Sequence, residues 1–194
     1  MALVGYYGLM NVHALTEWHP GARVIPSPNF DSRPKGMAVD LIVIHAISLP
    51  PGIYGGLGIE QLFTNQLNPD EHPYYKEIAG LKVSSHFVIR RDGELLQFVP
   101  VSQRAWHAGL SNWQGRERCN DFSIGIELEG DDNTPFEPSQ YQTLQTLLRS
   151  LTGMWPITAI TSHSQIAPGR KTDPGHCFDW APVRASCPGI PVTP

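Results

Sequence analysis

Residues 40–47 read Asp-Leu-Ile-Val-Ile-His-Ala-Ile, a short β-branched run bounded by Gly36 upstream and by Pro50-Pro51 downstream. Such a run predicts a buried strand, and this one carries a histidine, His45, near its end. A second run, Phe122–Leu128, alternates with period two: Ile124, Ile126 and Leu128 share one face, and Gly125, Glu127 and Glu129 share the other. Ser85–Arg91 and Glu94–Val99 are strand-like and joined by Asp92-Gly93. This dipeptide predicts a hairpin with φ > 0 at both central positions.

Helical spacing occurs twice. Ile59, Leu62, Phe63 and Leu67 fall on one stripe within 57–67, before the Asn68-Pro69 break. Tyr141, Leu144, Leu147, Leu148 and Leu151 form another within 138–151, which predicts an amphipathic helix able to cover a sheet. Ile157–Thr161 reads as the last strand, followed by a Pro- and Gly-rich polar loop through Gly175. Mixed strands and helices with a hairpin predict one α/β domain over residues 1–194, with a central mixed sheet flanked by helices.

Composition narrows the function. The chain has 194 residues, the size of a single domain, and 41% hydrophobic residues, enough for a packed core. Eighteen Gly and eighteen Pro point to long ordered loops. A net charge of −4 argues against a nucleic-acid partner. No apolar run approaches the 18 residues of a membrane span. Three cysteines, an odd number without a CxxC pair, argue against a disulfide framework and exclude a cysteine-rich metal site. No Lys or Arg precedes Arg23, so the apolar start lacks the basic region of an export signal, and a cytoplasmic location is expected.

Eight histidines are many for this length. A single buried histidine is more often a satisfied core residue than a ligand. Position makes two of them candidates: His45 lies at the end of a buried strand, and His163 follows the last predicted one. Asp173 comes ten residues later, in Arg-Lys-Thr-Asp-Pro-Gly. Two imidazoles and a carboxylate make a three-ligand set that leaves a tetrahedral position open, as catalytic zinc requires. Lys171, two residues before Asp173, falls on the same side of an extended segment, where a cation can oppose a developing oxyanion. The bland alternative is a solvated Arg170-Lys171 loop.

Glu127 and Glu129 would ordinarily face water from such a strand. Gly125 on the same face would leave room beside Glu127 for a ligand, and a carboxylate near a metal can act as general base and then acid. Trp106, Arg116 and Arg118 lie on loops, where the aromatic suits sugar stacking and the guanidiniums suit a carboxylate.

The segments VIHAISLPPGIYGG, SSHFVIRRDGELLQFVP, RAWHAGLSNWQGRERCNDFSIGIELEG and SHSQIAPGRKTDPG resemble the AmpD-type anhydro-N-acetylmuramyl-L-alanine amidases. These enzymes belong to the zinc amidase superfamily that includes the peptidoglycan-recognition proteins. The resemblance runs from about Val24 to Trp180 and leaves the first 20 or so residues unplaced. It implies a peptidoglycan-recognition-like fold with one Zn²⁺ per chain, held by His45, His163 and Asp173 in a crevice at strand ends. Glu127 would be the acid/base, and Lys171 would stabilise the transition state. Trp106 and Arg118 would contact an anhydro-muropeptide substrate.

The chain departs from the family pattern at two substrate-binding positions. Ala46 replaces an Asn, and Lys82 stands where an Arg is expected. Ser85 occupies the place of a catalytic Tyr in phage-lysozyme-like relatives, which fits the AmpD type. The implied activity is hydrolysis of the lactyl–L-alanine amide in cytoplasmic cell-wall recycling, by a monomer with no nucleic-acid or membrane partner. The alternatives are a non-catalytic muropeptide sensor and a phage-type wall hydrolase.

Overall fold

The computed structural model describes residues 18–194; most of the unplaced N-terminal segment lies outside them. Its centre is a seven-stranded sheet in the order β1 (Arg23–Val24), β5 (Leu95–Gln97), β4 (Phe87–Ile89), β9 (Ser123–Glu129), β3 (Leu41–Ile47), β10 (Ala159–Ser162), β11 (Val192–Thr193). All neighbours pair in parallel except β4 with β5. Two small antiparallel pairs lie outside it: β2 (Phe30–Ser32) with β6 (Gln103–Ala105), and β7 (Asn112–Trp113) with β8 (Arg116–Glu117). The expected α/β architecture with a mixed sheet is therefore present.

Helices cover both faces. The long helix α3 (Pro138–Met154) lays Leu144, Leu147, Leu148 and Leu151 on Ile42, Ile44, Phe87, Ile89, Ile124, Ile126 and Leu128. Pro138 fits the first helical turn, where no intrahelical N–H bond is lost. Gln140, buried in that turn, donates to the carbonyls of Ile89 and Glu129 and so pins the helix across β4 and β9. On the other face α1 (Gly58–Phe63) and α2 (Pro73–Ile78) pack Ile59, Leu62, Phe63 and Tyr75 against Val88, Leu96 and Phe98. A third cluster on that face contains Leu41, Val43, Trp113, Phe122 and Ile166. With both faces covered, β9 is buried along its whole length.

Three local expectations are corrected. The helix expected over 57–67 stops at Phe63, because Asn65 turns into the left-handed region at φ 60° and ends it. In the Asp92-Gly93 hairpin only Gly93 has positive φ. Its N–H bonds the Arg90 carbonyl at 2.9 Å, while the Asp92 side chain accepts from the Glu94 N–H. Ile157–Thr161 is not the last strand: β11 follows the helices α4 (His163–Ile166) and α5 (Ala181–Ser186) and pairs with β10 at the sheet edge.

Candidate metal centre and active site

The face of the sheet opposite α3 opens into a crevice of about 560 Å³. Parallel register sets His45 of β3 directly beside Glu127 of β9. Next to β3 on its other side, β10 ends at Ser162, whose hydroxyl accepts from the Gln165 N–H at 3.1 Å and caps the turn of α4. The first residue of that turn is His163, so the strand-to-helix junction aims its imidazole at His45. The polar loop after α4 returns Asp173, whose carbonyl accepts from the Ser164 N–H at 3.0 Å.

These elements bring three ligand atoms into one triangle. His45 Nδ1 lies 2.9 Å from His163 Nδ1 and 3.3 Å from Asp173 Oδ2, and His163 Nδ1 lies 3.0 Å from that same oxygen. Both imidazoles are buried. His163 Nε2 lies 3.3 Å from the Ala108 carbonyl, which can accept the ring proton in the tautomer that leaves Nδ1 free for a metal. Crowded lone pairs beside a buried carboxylate are the donor set of a divalent cation. Donors about 2.0–2.1 Å from a tetrahedral zinc stand roughly 3.3–3.4 Å apart, so the triangle fits with small adjustment. Among the described residues this is the cluster of His, Cys, Asp and Glu able to hold a metal.

Electrostatics agree with a cation site. Burial, together with His163, pulls His45 down to about 4, so it is neutral and ready to ligate. Burial alone would raise the Asp173 carboxyl, but the closely packed His163 and His45 imidazoles hold it well below the usual carboxylate range. Glu127 is pushed the other way: burial and the Asp173 charge raise its carboxyl well above the ordinary value, against the opposing pull of Lys171. A carboxyl whose pKa is raised by burial is a stronger base than a free one and is suited to proton transfer. Its Oε1 lies 3.9 Å from His45 Nδ1.

Of the other candidates, Lys171, Trp106 and Ala46 line the crevice. Trp106 has its indole N–H buried without a partner. Arg118 does not line it. It is exposed, 3.3 Å from Asp121, and borders a neighbouring hollow with Leu110 and Arg170. Lys82 is exposed between two lining residues, Leu81 and Val83. Ser85 is fully buried and is not among the lining residues.

Two readings change with the tertiary structure. The gap at Gly125 holds no ligand: a Cβ there would lie 2.5 Å from Cγ of His107, whose ring fills the space. Glu129, the other carboxylate of the pair, is fully engaged. Its Oε1 accepts from Arg90 at 3.0 Å and from the Gly55 N–H at 2.7 Å, and its Oε2 from the Arg91 N–H at 3.2 Å. Sequence reasoning did not single out Asn120, whose Oδ1 accepts from the N–H groups of His107 and Ala108 at 3.1 and 2.8 Å. Nor did it find Arg170, which lines the crevice and donates to the Ala108 and Leu110 carbonyls.

Residues 35–176 match the family model described as N-acetylmuramoyl-L-alanine amidase. The chain is 55% identical over 170 residues to the 1,6-anhydro-N-acetylmuramyl-L-alanine amidase AmpD of Salmonella typhimurium (strain SL1344), covering 87% of this chain and 91% of that one. A crystal structure of a selenomethionine AmpD derivative superposes with a TM-score of 0.85 at 54% identity, over 87% of this chain and 96% of the other. The amidase AmiD from E. coli, solved in complex with anhydro-N-acetylmuramic acid-L-Ala-D-γ-Glu-L-Lys, matches at 28% identity and a TM-score of 0.56. That match spans 79% of this chain and 60% of AmiD.

Proposed function

The chain belongs to the N-acetylmuramoyl-L-alanine amidase family, and on that premise we propose that it is a zinc-dependent hydrolase of anhydro-muropeptides acting in cytoplasmic cell-wall recycling. The bond cleaved is the amide between the lactyl group of anhydro-N-acetylmuramic acid and L-alanine. The names of the AmpD relatives and the substrate bound to AmiD support this choice. The observation that carries the mechanism is the triangle of bare ligand atoms on His45, His163 and Asp173 beside a buried, unbridged Glu127.

Zinc held by that triangle would supply Lewis acidity, polarising the lactyl carbonyl and lowering the pKa of the attacking water. Glu127 accepts the proton of that water as the C–O bond forms, and returns it to the alanine nitrogen as the C–N bond breaks. The Lys171 ammonium stabilises negative charge on the carbonyl oxygen. Trp106 and Ala46 wall the crevice around the substrate. A methyl at position 46 offers no hydrogen bond, so orientation there rests on shape. Arg118 and Lys82 act on parts of the stem peptide that extend past the crevice, where their charges meet its carboxylates.

We assign residues 1–194 to one amidase domain that works as a monomer without nucleic-acid or membrane partners. The net charge of −4 argues against a nucleic-acid partner; among the described residues no helix is long and apolar enough to cross a membrane. The test is metal content measured with hydrolysis of anhydro-muramyl-tripeptide, before and after chelation. About one zinc per chain, with activity lost on chelation and restored by zinc, is expected. Binding without cleavage by zinc-loaded protein would make it a sensor, and comparable cleavage of intact peptidoglycan would make it a wall hydrolase.

A further inference from the structure

We infer that His107 is a positioning residue of the metal centre: through a hydrogen-bond chain ending on the Cys119 carbonyl, it fixes the tautomer of His45 that leaves Nδ1 bare. The inference rests on the metal reading above and concerns a residue outside the ligand set.

The chain runs outward from the site. His45 Nε2 lies 2.9 Å from His107 Nδ1, His107 Nε2 lies 3.2 Å from Ser123 Oγ, and Ser123 Oγ lies 2.5 Å from the Cys119 carbonyl oxygen. Its direction follows from the far end. A carbonyl only accepts, so the Ser123 hydroxyl donates to Cys119 and its oxygen accepts from His107 Nε2–H. Neutral His107 then has a bare Nδ1, which accepts from His45 Nε2–H. That places the His45 proton away from His163 and Asp173 and leaves the Nδ1 lone pair facing them. Reversing any link sets two donors or two acceptors against each other.

The surroundings are shaped to this end. Gly125 lacks the Cβ that would strike the His107 ring, at 2.5 Å from Cγ and 2.7 Å from Nδ1. Asn120 clamps the His107 and Ala108 N–H groups. The Ala108 carbonyl in turn holds His163 Nε2. One short loop thus orients both histidine ligands, His45 through a side chain and His163 through the backbone. Outer partners of this kind are worth about 10–100-fold in metal affinity.

The experiment is a zinc competition titration of the full chain against a chromophoric chelator, paired with long-range ¹H–¹⁵N NMR of the zinc-loaded wild type. His107→Leu is expected to weaken zinc binding by about 10–100-fold. His107→Asn, whose Oδ1 can accept where Nδ1 stood, should restore most of that loss. The NMR spectrum should show protonated Nε2 on both His107 and His45, with His107 Nδ1 bare and His45 Nδ1 unprotonated and bound to zinc. Wild-type affinity in His107→Leu, or a proton on His107 Nδ1, overturns the inference while leaving the metal reading intact. Wild-type protein that takes up no zinc overturns the metal reading first and this inference with it. The NMR measurement needs no variant, so it decides the matter even where His107→Leu does not fold.

Discussion

Glu127 and Glu129 lie two residues apart on one face of β9, and both are buried, at 7% and 2% exposure. Their surroundings are opposite. Glu129 sits in an ion-pair network in which Arg90 bridges it at 3.0 Å to Glu60 at 2.7 Å, and Glu60 continues to Arg23 at 2.9 Å. Two backbone N–H groups complete its shell and tie the 49–56 loop and the β4–β5 hairpin to the sheet. Among the described residues no Lys or Arg is bonded to Glu127, which faces the open crevice with the ligand triangle. A carboxylate whose lone pairs are already committed holds a structure together, whereas one left uncommitted beside the ligand triangle is available to move a proton.

The comparison can be broken by experiment, most sharply at Glu127. Glu127→Ala should lower kcat by roughly 10²–10⁴-fold in the tripeptide assay while zinc content stays near one per chain. Near-normal turnover would transfer the proton-transfer role elsewhere. Glu129→Ala should instead appear in denaturant melts, destabilising the fold by about 1–3 kcal/mol, because the Gly55 and Arg91 N–H groups lose their acceptor and Arg90 keeps only Glu60 as a partner. A variant that folds as wild type yet loses turnover would reverse the two roles.

Lys171→Met should reduce kcat by about 10²–10³-fold with stability unchanged, as expected for a group that stabilises developing charge. A change confined to KM would place Lys171 in ground-state binding. The smallest effect is expected at the crevice rim, where the Tyr54 hydroxyl donates to Asp131 at 2.5 Å and Arg91 lies 4.9 Å over the Tyr54 ring. Tyr54→Phe should cost about 1 kcal/mol or less in a thermal melt. A large loss of kcat there would make the rim part of the chemistry.

Much of the site was legible in the chain because strand periodicity is local. The run ending in His45 and the alternation of Phe122–Leu128 mark β3 and β9, and the break after Thr161 marks the junction that presents His163. The departures also have local physical causes. Asn65 in the left-handed region shortens α1, and the turn at Gly93 needs one positive φ instead of two. Gly125 did signal a close approach, but sequence alone could not say whether a ligand or His107 would fill the gap.

By itself the sequence determined a covered α/β sheet, the face on which each strand residue lies and a short list of residues able to bind a metal. Only the tertiary structure decided which of two equivalent glutamates was bridged by Arg90, which ring nitrogen of each histidine pointed at the others, and that Arg118 and Lys82 stood outside the crevice. The physical reason is range. Side-chain parity follows from a two-residue backbone repeat, whereas Arg90 beside Glu129, and His107 and His163 beside His45, come from segments 39 to 118 residues away, and no local pattern encodes them.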